Sequence, residues 1–516
     1  MEESRVSKSI KNTTFGMVGL ALSILVQFAS RTVFIHLLGK EYNGINGLFT
    51  NILSVLNLAE LGFAYSIAYA LYAPLQSGNK QTVCAIMNFL RKIYYIIALT
   101  VGIAGVLCIP FLQYLIKEDL STLPFALNQI RIYFAIYLGN TVFSYIWSYK
   151  RTLITADQKN YLVSNADNIS NILLYGVQIA LLFITKNYYL YLSLMLVKTM
   201  VTNLILTAIA NKRYPYLKDF TKEQVDKTER NKIMKNVGAM FFHKVGSVII
   251  YGTTTIIISA FVGVVEAGMY ANYVLIVTAV NNFINIVFNS ITASVGNLCV
   301  TAEIDYQKTV FKRIRYVSNV LAVFSFVCYV SLFNPFVSLW VGADQTFSLP
   351  TVIVISATAT LSVLRSAPNT FKNAKGLFTK DWYKPLVEAG VAIVLGIALS
   401  FVWGVFGILL GYFIGSLIAL PIEYIVLYKY GFNASGKETA KQFINVGLTL
   451  AIGVALCVLS YTVCAFLPSR LWAFIVKTLI AMAFGVGYLL FTIKSDGFAY
   501  FGNMAKRLLG KLKRKR

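Results

Sequence analysis

Six ionisable side chains lie inside apolar stretches of this sequence, where a charge is difficult to place. They are Arg31, Glu60, Lys198, His243, Lys244 and Arg365. A charged side chain at the centre of a bilayer costs at least about 2.5–3.5 kcal/mol on insertion scales, so it normally faces a partner or a water-filled cavity. Arginine and lysine suit a phosphate or pyrophosphate group, because they are cations with several N–H donors. The four cations of the set are therefore predicted to form an anion site, and Glu60 with His243 is a candidate pair for coupling to an ion.

Polar amide side chains also lie inside the apolar stretches. They recur every three to four residues, which places them on one face of a helix. The amides predicted to line a shared polar surface are Gln27, Asn168, Asn281, Asn285 and Asn369. Gln27 shares a helix face with Arg31, and Asn369 shares one with Arg365 beside Pro368, where a kink is expected. Amides both donate and accept hydrogen bonds, which suits sugar hydroxyls. The pattern predicts a hydrated, amide-rich cavity of net positive charge between two halves of the chain.

Each of these residues also has an ordinary structural interpretation. Interhelical hydrogen bonds between amides are common in membrane proteins. Glu60 could form a neutral structural pair with Arg31 or Lys198. Arg31 could extend outward and Arg365 inward to the membrane surfaces. His243 could be a packed polar residue, so the prediction depends on the whole set and on no single member.

The elements that must position these side chains are membrane-spanning helices. Of the 516 residues 57% are hydrophobic and only 13% are charged, whereas soluble globular chains carry about 25% charged residues. Apolar stretches of about 20 residues, long enough to cross a bilayer, recur along the whole chain. We predict an all-α polytopic membrane protein with about 14 transmembrane helices. Their predicted ranges are 13–38, 45–73, 87–116, 128–149, 161–185, 188–210, 234–262, 266–298, 315–341, 347–371, 382–403, 405–428, 442–467 and 471–494.

A sparse internal repeat divides this series of helices. A shift of 224 positions places Lys11 on Lys235, Asn12 on Asn236 and Ser23 on Ser247, and it aligns two G-x4-G turns, Gly39–Gly44 with Gly263–Gly268. Repeated helical units are typical of transporters. We predict two six-helix lobes, 1–220 and 221–432, followed by two additional helices within 433–494. The last segment, 495–516, is predicted to be a basic amphipathic tail that contacts anionic membrane lipids.

The net charge of +25 follows from topology and does not indicate a nucleic-acid partner. Most of the 46 lysines and arginines fall on one side of the predicted spans, and the opposite loops hold few. Because basic residues accumulate on the cytoplasmic side, both termini are predicted to be cytoplasmic.

Residues for several kinds of chemistry are missing from the sequence. It has no Walker motif for ATP and no G-x-S-x-G motif. Its two histidines and six cysteines have no metal-ligand spacing. We therefore expect no enzyme activity and no bound cofactor. An ion gradient of unknown ion, the membrane potential or the downhill flux of the substrate would then drive any transport.

The sequence resembles the polysaccharide (oligosaccharide) flippase family of the multidrug/oligosaccharidyl-lipid/polysaccharide exporter superfamily. The residues that carry the resemblance are Arg31-Thr32-Val33-Phe34, Leu38-Gly39-Lys40-Glu41-Tyr42-Asn43-Gly44, Leu48-Phe49, Leu58-Ala59-Glu60-Leu61-Gly62 and the turn Gly263–Gly268 followed by Tyr270. The resemblance covers nearly the whole chain.

The resemblance implies two lobes that open alternately to the two sides of a bacterial cytoplasmic membrane. The implied substrate is an oligosaccharide on a polyprenyl pyrophosphate, moved from the inner to the outer leaflet for capsule- or O-antigen-type polymers. Arg31, Lys244 and Arg365 match the kind of basic residue that such flippases use for pyrophosphate. A polysaccharide polymerase is an implied partner.

Three other functions are compatible with parts of the pattern. A lipid II flippase of peptidoglycan synthesis also has about 14 spans and a cationic cavity. A drug or cation antiporter fits less well, because its cavity should be acidic. A membrane-bound polysaccharide polymerase or ligase generally needs a long outer loop, and the predicted outer loops are short.

Overall fold

The protein is an all-α polytopic membrane protein, described here from a computed structural model that covers residues 5–60, 63–119, 121–157, 159–217, 224–377, 380–468 and 471–503. The α-helices of these residues are α1 (Arg5–Leu38), α2 (Lys40–Leu56), α3 (Phe63–Gln76), α4 (Lys80–Cys108), α5 (Leu127–Ile146), α6 (Tyr149–Ala156), α7 (Asn160–Thr185), α8 (Tyr188–Arg213), α9 (Lys227–Phe261), α10 (Val264–Thr301), α11 (Ile304–Val341), α12 (Leu349–Leu364), α13 (Ser366–Ala374), α14 (Lys384–Val426), α15 (Gly436–Ala465) and α16 (Leu471–Phe491). The chain forms two compact units, Met1–Gly268 and Met269–Arg516. The boundary between them falls later than the predicted one after residue 220, and the six-helix lobes stay a prediction.

Ten helical segments of the described residues are long and apolar enough to cross a membrane. One of them, Lys384–Gly431, contains two predicted spans. Three predicted spans lie outside this set: 45–73, 128–149 and 234–262. The first is broken into two helices, and the second forms the helix Leu127–Ile146. The helix around 234–262 contributes only a shorter apolar part, Val248–Phe261.

The two G-x4-G turns of the repeat pack against each other inside the first unit. A methyl group on Gly44 would lie 1.9 Å from the carbonyl oxygen of Val264, and one on Gly268 would lie 2.7 Å from the backbone nitrogen of Gly44. The side-chain amide of Asn43 donates a hydrogen bond of 2.9 Å to the carbonyl of Gly268. Only glycine permits backbones to approach so closely, so the repeated glycines serve a contact between the starts of α2 and α10.

A loop after α4 clamps the same turn. The Glu118 carboxylate accepts hydrogen bonds from the backbone N–H groups of Val264 (2.5 Å) and Val265 (3.2 Å). These groups begin α10 and have no partner within the helix, so a carboxylate satisfies them well. The Lys117 ammonium donates to the carbonyl of Phe261 at 2.7 Å, which is the last residue of α9. The loop thus binds both ends of the α9–α10 turn.

In the second unit, α14 is a helical hairpin whose arms are α14a (384–403) and α14b (405–426). Gly404 lies at the bend with φ 54° and ψ −131°, a conformation that other residues rarely adopt. The arms touch at glycines, since a methyl on Gly411 would lie 2.3 Å from the nitrogen of Gly396. The bend confirms the predicted division between the spans 382–403 and 405–428.

Helices α15 and α16 pack along α11 through apolar and polar contacts. Val323, Val327 and Val330 of α11 form a small core with Leu456 and Tyr488. Side-chain hydrogen bonds also join α11 to α15. The Asn319 amide donates to Thr449 at 3.1 Å, and the hydroxyls of Ser331 and Ser460 lie 2.9 Å apart.

Candidate functional site

Arg31, the first predicted cation, lies on α1 among tyrosines of the first unit. The tyrosines that interact electrostatically with its guanidinium are Tyr137 on α5, Tyr175 on α7, and Tyr188 and Tyr191 on α8. Helix α8 also packs an aromatic ring against α1. The ring centres of Phe34 on α1 and Tyr191 on α8 are 4.9 Å apart. Helices α1, α5, α7 and α8 therefore surround a cation with phenol groups, which can hydrogen-bond both to a cation and to hydroxyl groups.

Lys198 belongs to a second charged group of the same unit. It interacts electrostatically with Asp167 on α7 and with Arg151 on α6, and Arg151 itself forms an ion pair with Asp167. The side chains of Arg151 and Asp167 are 29% and 32% exposed. We call these three residues, Arg151, Asp167 and Lys198, the α6–α8 cluster. It has two cations and one carboxylate, and Arg151 also interacts electrostatically with the carboxylate of Glu60. Its ion pair is partly accessible.

Glu60 ends a 3-10 segment, Asn57–Glu60, that interrupts the predicted span 45–73 between α2 and α3. Its carboxylate accepts a hydrogen bond of 3.0 Å from the Tyr94 hydroxyl and another from Tyr145. It also interacts electrostatically with Arg151. Its neighbours are thus two phenols and a cation that the sequence did not suggest. The predicted partner His243 lies on α9, but its side chain is outside the described residues, as is that of Lys244.

Arg365 of the second unit lies between α12 and α13, at the kink expected from Pro368. Its guanidinium donates to both carboxylate oxygens of Glu388, at 2.7 and 2.9 Å, and to Glu423 at 3.0 Å. Glu388 also accepts a hydrogen bond of 2.8 Å from Ser416, and Glu423 forms an ion pair with Lys384. Glu388 lies on α14a and Glu423 on α14b, so the arginine links the kinked helix to both arms of the hairpin.

A further ion pair lies beside these contacts. Lys372 of α13 pairs with Asp381, and both side chains are buried. We call these six residues, Arg365, Lys372, Asp381, Lys384, Glu388 and Glu423, the α13–α14 network. It contains three cations and three carboxylates, and its net charge is zero. Glu423 and Asp381 are fully buried, which is tolerated only because each carboxylate has a cationic partner.

The predicted amides occupy several environments. Asn168 packs against α1, where its side-chain nitrogen would lie 2.7 Å from a methyl group on Gly19. Gln27, Asn281 and Asn369 are partly buried, and Asn285 is exposed. The structure brings Arg31, Asn168 and Lys198 into one unit and Asn281, Asn285, Arg365 and Asn369 into the other. Their common lining of a cavity stays a prediction.

Sequence reasoning missed the carboxylates that bind the predicted cations. Asp167, Glu388 and Glu423 each lie within a predicted span. An acidic residue in an apolar helix is itself a signal, because it needs a partner as much as a cation does. Counting both signs of charge within the spans would have predicted that Arg365 is paired. In the part of the chain that the structure describes, no group of three His, Cys, Asp or Glu side chains is arranged to hold a metal ion.

No protein-family model and no curated protein sequence matches this chain. Solved structures do share its fold at 13% sequence identity. A multidrug-resistance MATE-family transporter of the MOP superfamily, described as inward-facing, gives a TM-score of 0.60 over 80% of this chain and 96% of its own. The lipid II flippase MurJ, in an inward closed conformation, gives 0.59 over 93% of this chain and 99% of its own. A mutant of the Vibrio cholerae MATE transporter VcmN gives 0.57 over 83% and 98%. The chain therefore has the fold found in these membrane transporters.

Proposed function

We propose that this protein is a flippase that moves oligosaccharides linked to polyprenyl pyrophosphate from the inner to the outer leaflet of a bacterial cytoplasmic membrane. The observation that carries the proposal is the α6–α8 cluster, in which the cations Lys198 and Arg151 lie together and Arg151 is partly exposed. Lys198 lies on α8, which is long enough to span a membrane, and Arg151 lies on the short helix α6 beside it. Two neighbouring cations suit an anionic lipid headgroup. The likeness of the fold to a lipid II flippase adds support.

Arg31 and its tyrosines provide the second part of the proposed path. A guanidinium among phenols offers N–H donors to phosphate and hydroxyl groups to sugars. The two positions lie on the same group of helices, α1, α5, α7 and α8, with α6 beside them. A headgroup could thus be bound by Lys198 and Arg31 in succession as the lobes alternate. Both termini would be cytoplasmic, and an ion gradient or the membrane potential would drive the cycle.

The test uses the purified protein in liposomes with a fluorescent polyprenyl-pyrophosphate oligosaccharide. Lys198→Gln and Arg31→Gln should each slow translocation about 10- to 100-fold, because a hydrogen bond to a charged group contributes about 1.5–3 kcal/mol. Lys437→Gln is the control, since Lys437 is exposed at the start of α15, and it should leave the rate unchanged. Equal rates in all three variants would contradict the proposal.

A lipid II flippase is the alternative that the MurJ likeness favours equally. The two substrates share a polyprenyl pyrophosphate and differ in the sugar and in the presence of a peptide. Deletion of the gene separates them. Loss of a surface polysaccharide in viable cells would support the first substrate, whereas arrest of peptidoglycan synthesis and lysis would support lipid II.

A further inference from the structure

Two lysines of the second unit converge on one aromatic ring at the end of α14. The Nζ atoms of Lys380 and Lys429 lie 5.5 and 5.3 Å from the centre of the Tyr430 ring. Tyr430 is 45% exposed, and the neighbouring Trp382 and Tyr383 are 51% and 41% exposed. Among the described residues neither lysine forms an ion pair. Two positive charges therefore lie side by side at the surface, and an anion from outside the protein can neutralise them.

Buried contacts hold this surface in place. The turn that carries Lys380 and Trp382 is fixed by Asp381, which is fully buried in its ion pair with Lys372. A short π-helical segment, Leu427–Gly431, carries Lys429 and Tyr430. Its end is bound by Lys375, whose ammonium donates to the Gly431 carbonyl at 2.7 Å. The positions of the two lysines are thus set by the fold.

An exposed apolar surface continues from the lysines along both arms of the hairpin. On α14a it includes Leu386, Val387 and Val394, and on α14b it includes Ile425, one helical turn before Lys429. Exposed apolar residues on membrane helices face acyl chains, and tryptophan and tyrosine concentrate where headgroups begin. A lipid that lies along this surface would place its phosphate between Lys380 and Lys429.

We propose that Lys380, Trp382, Tyr383, Lys429 and Tyr430 form a binding site for an anionic phospholipid of the leaflet that this end of the unit faces. The charges of the two lysines complement the phosphodiester of such a lipid, and each lysine near an anionic surface contributes to binding. Two separate ammonium groups suit a mobile headgroup, because lysine binds phosphate as a point charge without the fixed fork of arginine. This site is separate from the proposed flippase substrate and from the predicted basic tail, most of which lies outside the described residues.

The experiment is native mass spectrometry of the full-length protein with phosphatidylglycerol, compared with zwitterionic phosphatidylcholine. The double variant Lys380→Gln/Lys429→Gln should weaken phosphatidylglycerol binding about tenfold, and Lys380→Arg/Lys429→Arg should retain it. The matched control is Lys437→Gln/Lys441→Gln, which removes the same charge from exposed positions on α15. The control should bind as the unchanged protein does.

Two outcomes would overturn the site. Equal loss in the test and control variants would show that only the net charge of the surface matters. If the site binds a lipid, its acyl contacts should make phosphatidylglycerol bind more tightly than inorganic pyrophosphate. Displacement of phosphatidylglycerol by an equal concentration of pyrophosphate would therefore show that the lysines bind a soluble diphosphate. Thermal unfolding of all variants checks that they are folded. A difference confined to the Lys380/Lys429 pair, with no effect on phosphatidylcholine, would support the proposal.

Discussion

At the scale of single residues, the two units treat their buried cations differently. In the α13–α14 network every cation has a carboxylate partner, and the sum of charges is zero. In the α6–α8 cluster Arg151 and Lys198 share Asp167, Arg151 also interacts with Glu60, and the side chains of the Arg151–Asp167 pair are 29% and 32% exposed. Only the second arrangement leaves a cation accessible to an anionic ligand. Arg365 therefore has a different expected role from Lys198, although both are cations in apolar stretches of the sequence.

Replacing Arg365 should mainly damage the fold. Arg365→Ala leaves Glu388 with Ser416 and Glu423 with Lys384, so a buried negative charge loses its principal partner. Removing one member of a buried ion pair costs about 3–5 kcal/mol. We expect a clear fall in the thermal unfolding midpoint of the purified protein, together with loss of transport.

Arg313→Ala is the control for this change. Arg313 also forms an ion pair in the second unit, but its partner Asp496 is 63% exposed, and exposed pairs contribute about 0–1 kcal/mol. If Arg365→Ala is as stable as Arg313→Ala yet fails to transport, Arg365 acts on the substrate as the sequence first suggested.

The sequence predicted that Arg31, Lys198 and Arg365 lie in apolar helices, but it could not predict their partners. Arg365 and Glu388 are 23 residues apart and lie on different helices. Their contact depends on the hairpin that folds α14 back on itself. Asp167 is likewise brought to Arg151 and Lys198 by the packing of α6, α7 and α8. Partners across helices depend on tertiary packing, which a single sequence does not specify.

At the scale of elements, breaks in the helices place the functional groups. The spans 382–403 and 405–428 were predicted from the apolar stretches on either side of Gly404, and the structure bends there. The break at Asn57–Glu60 was not predicted. The sequence there is apolar on both sides of a single Glu60, without a proline to mark an interruption. Hydropathy therefore predicts which segments cross the membrane. Short irregular segments depend instead on local hydrogen bonds such as those of Glu60.

The bend of α14 should depend on Gly404 itself. Gly404→Ala introduces a side chain at φ 54° and ψ −131°, and such backbone strain costs about 1–3 kcal/mol. The thermal midpoint should fall. Gly390→Ala lies in the same helix, where a methyl group meets no atom within 4 Å, and it should be neutral or stabilising. Equal midpoints for the two variants would show that the bend does not require glycine.

The contact between the repeated turns gives a second prediction at this scale. Gly44→Ala would place a methyl group 1.9 Å from a backbone oxygen of Val264, and a backbone atom cannot rotate away as a side chain can. The starts of α2 and α10 must then separate, and overpacking costs about 1–3 kcal/mol or more. Thermal unfolding should show a lower midpoint than for Gly176→Ala, whose added methyl group has open space.

At the scale of the whole molecule, the two additional helices are part of the second unit. The sequence placed α15 and α16 outside the repeat, as two additional helices. Their contacts with α11 continue the apolar core of that unit. An apolar helix face in a bilayer can be covered by lipid at little cost, so apolar packing alone does not make the helices necessary. The hydrogen-bonding groups of α11 are different, because lipid cannot replace their partners.

Truncation of the chain before Gly436 tests this distinction. The deletion removes the hydrogen-bond partners of three α11 side chains. Asn319 loses Thr449, Ser331 loses Ser460, and Arg315 loses Gln442. Interhelical hydrogen bonds in membranes contribute about 0.6 kcal/mol each on average, and the unpaired arginine adds more. The truncated protein should show a lower unfolding temperature and a broader size-exclusion profile.

Asn319→Leu/Ser331→Ala in the truncated chain should restore part of the lost stability, because apolar side chains face lipid without penalty. If the double substitution gives no recovery, the apolar contacts with Leu456 and Tyr488 hold the helices in place, and the polar groups of α11 are not the reason that α15 and α16 are needed.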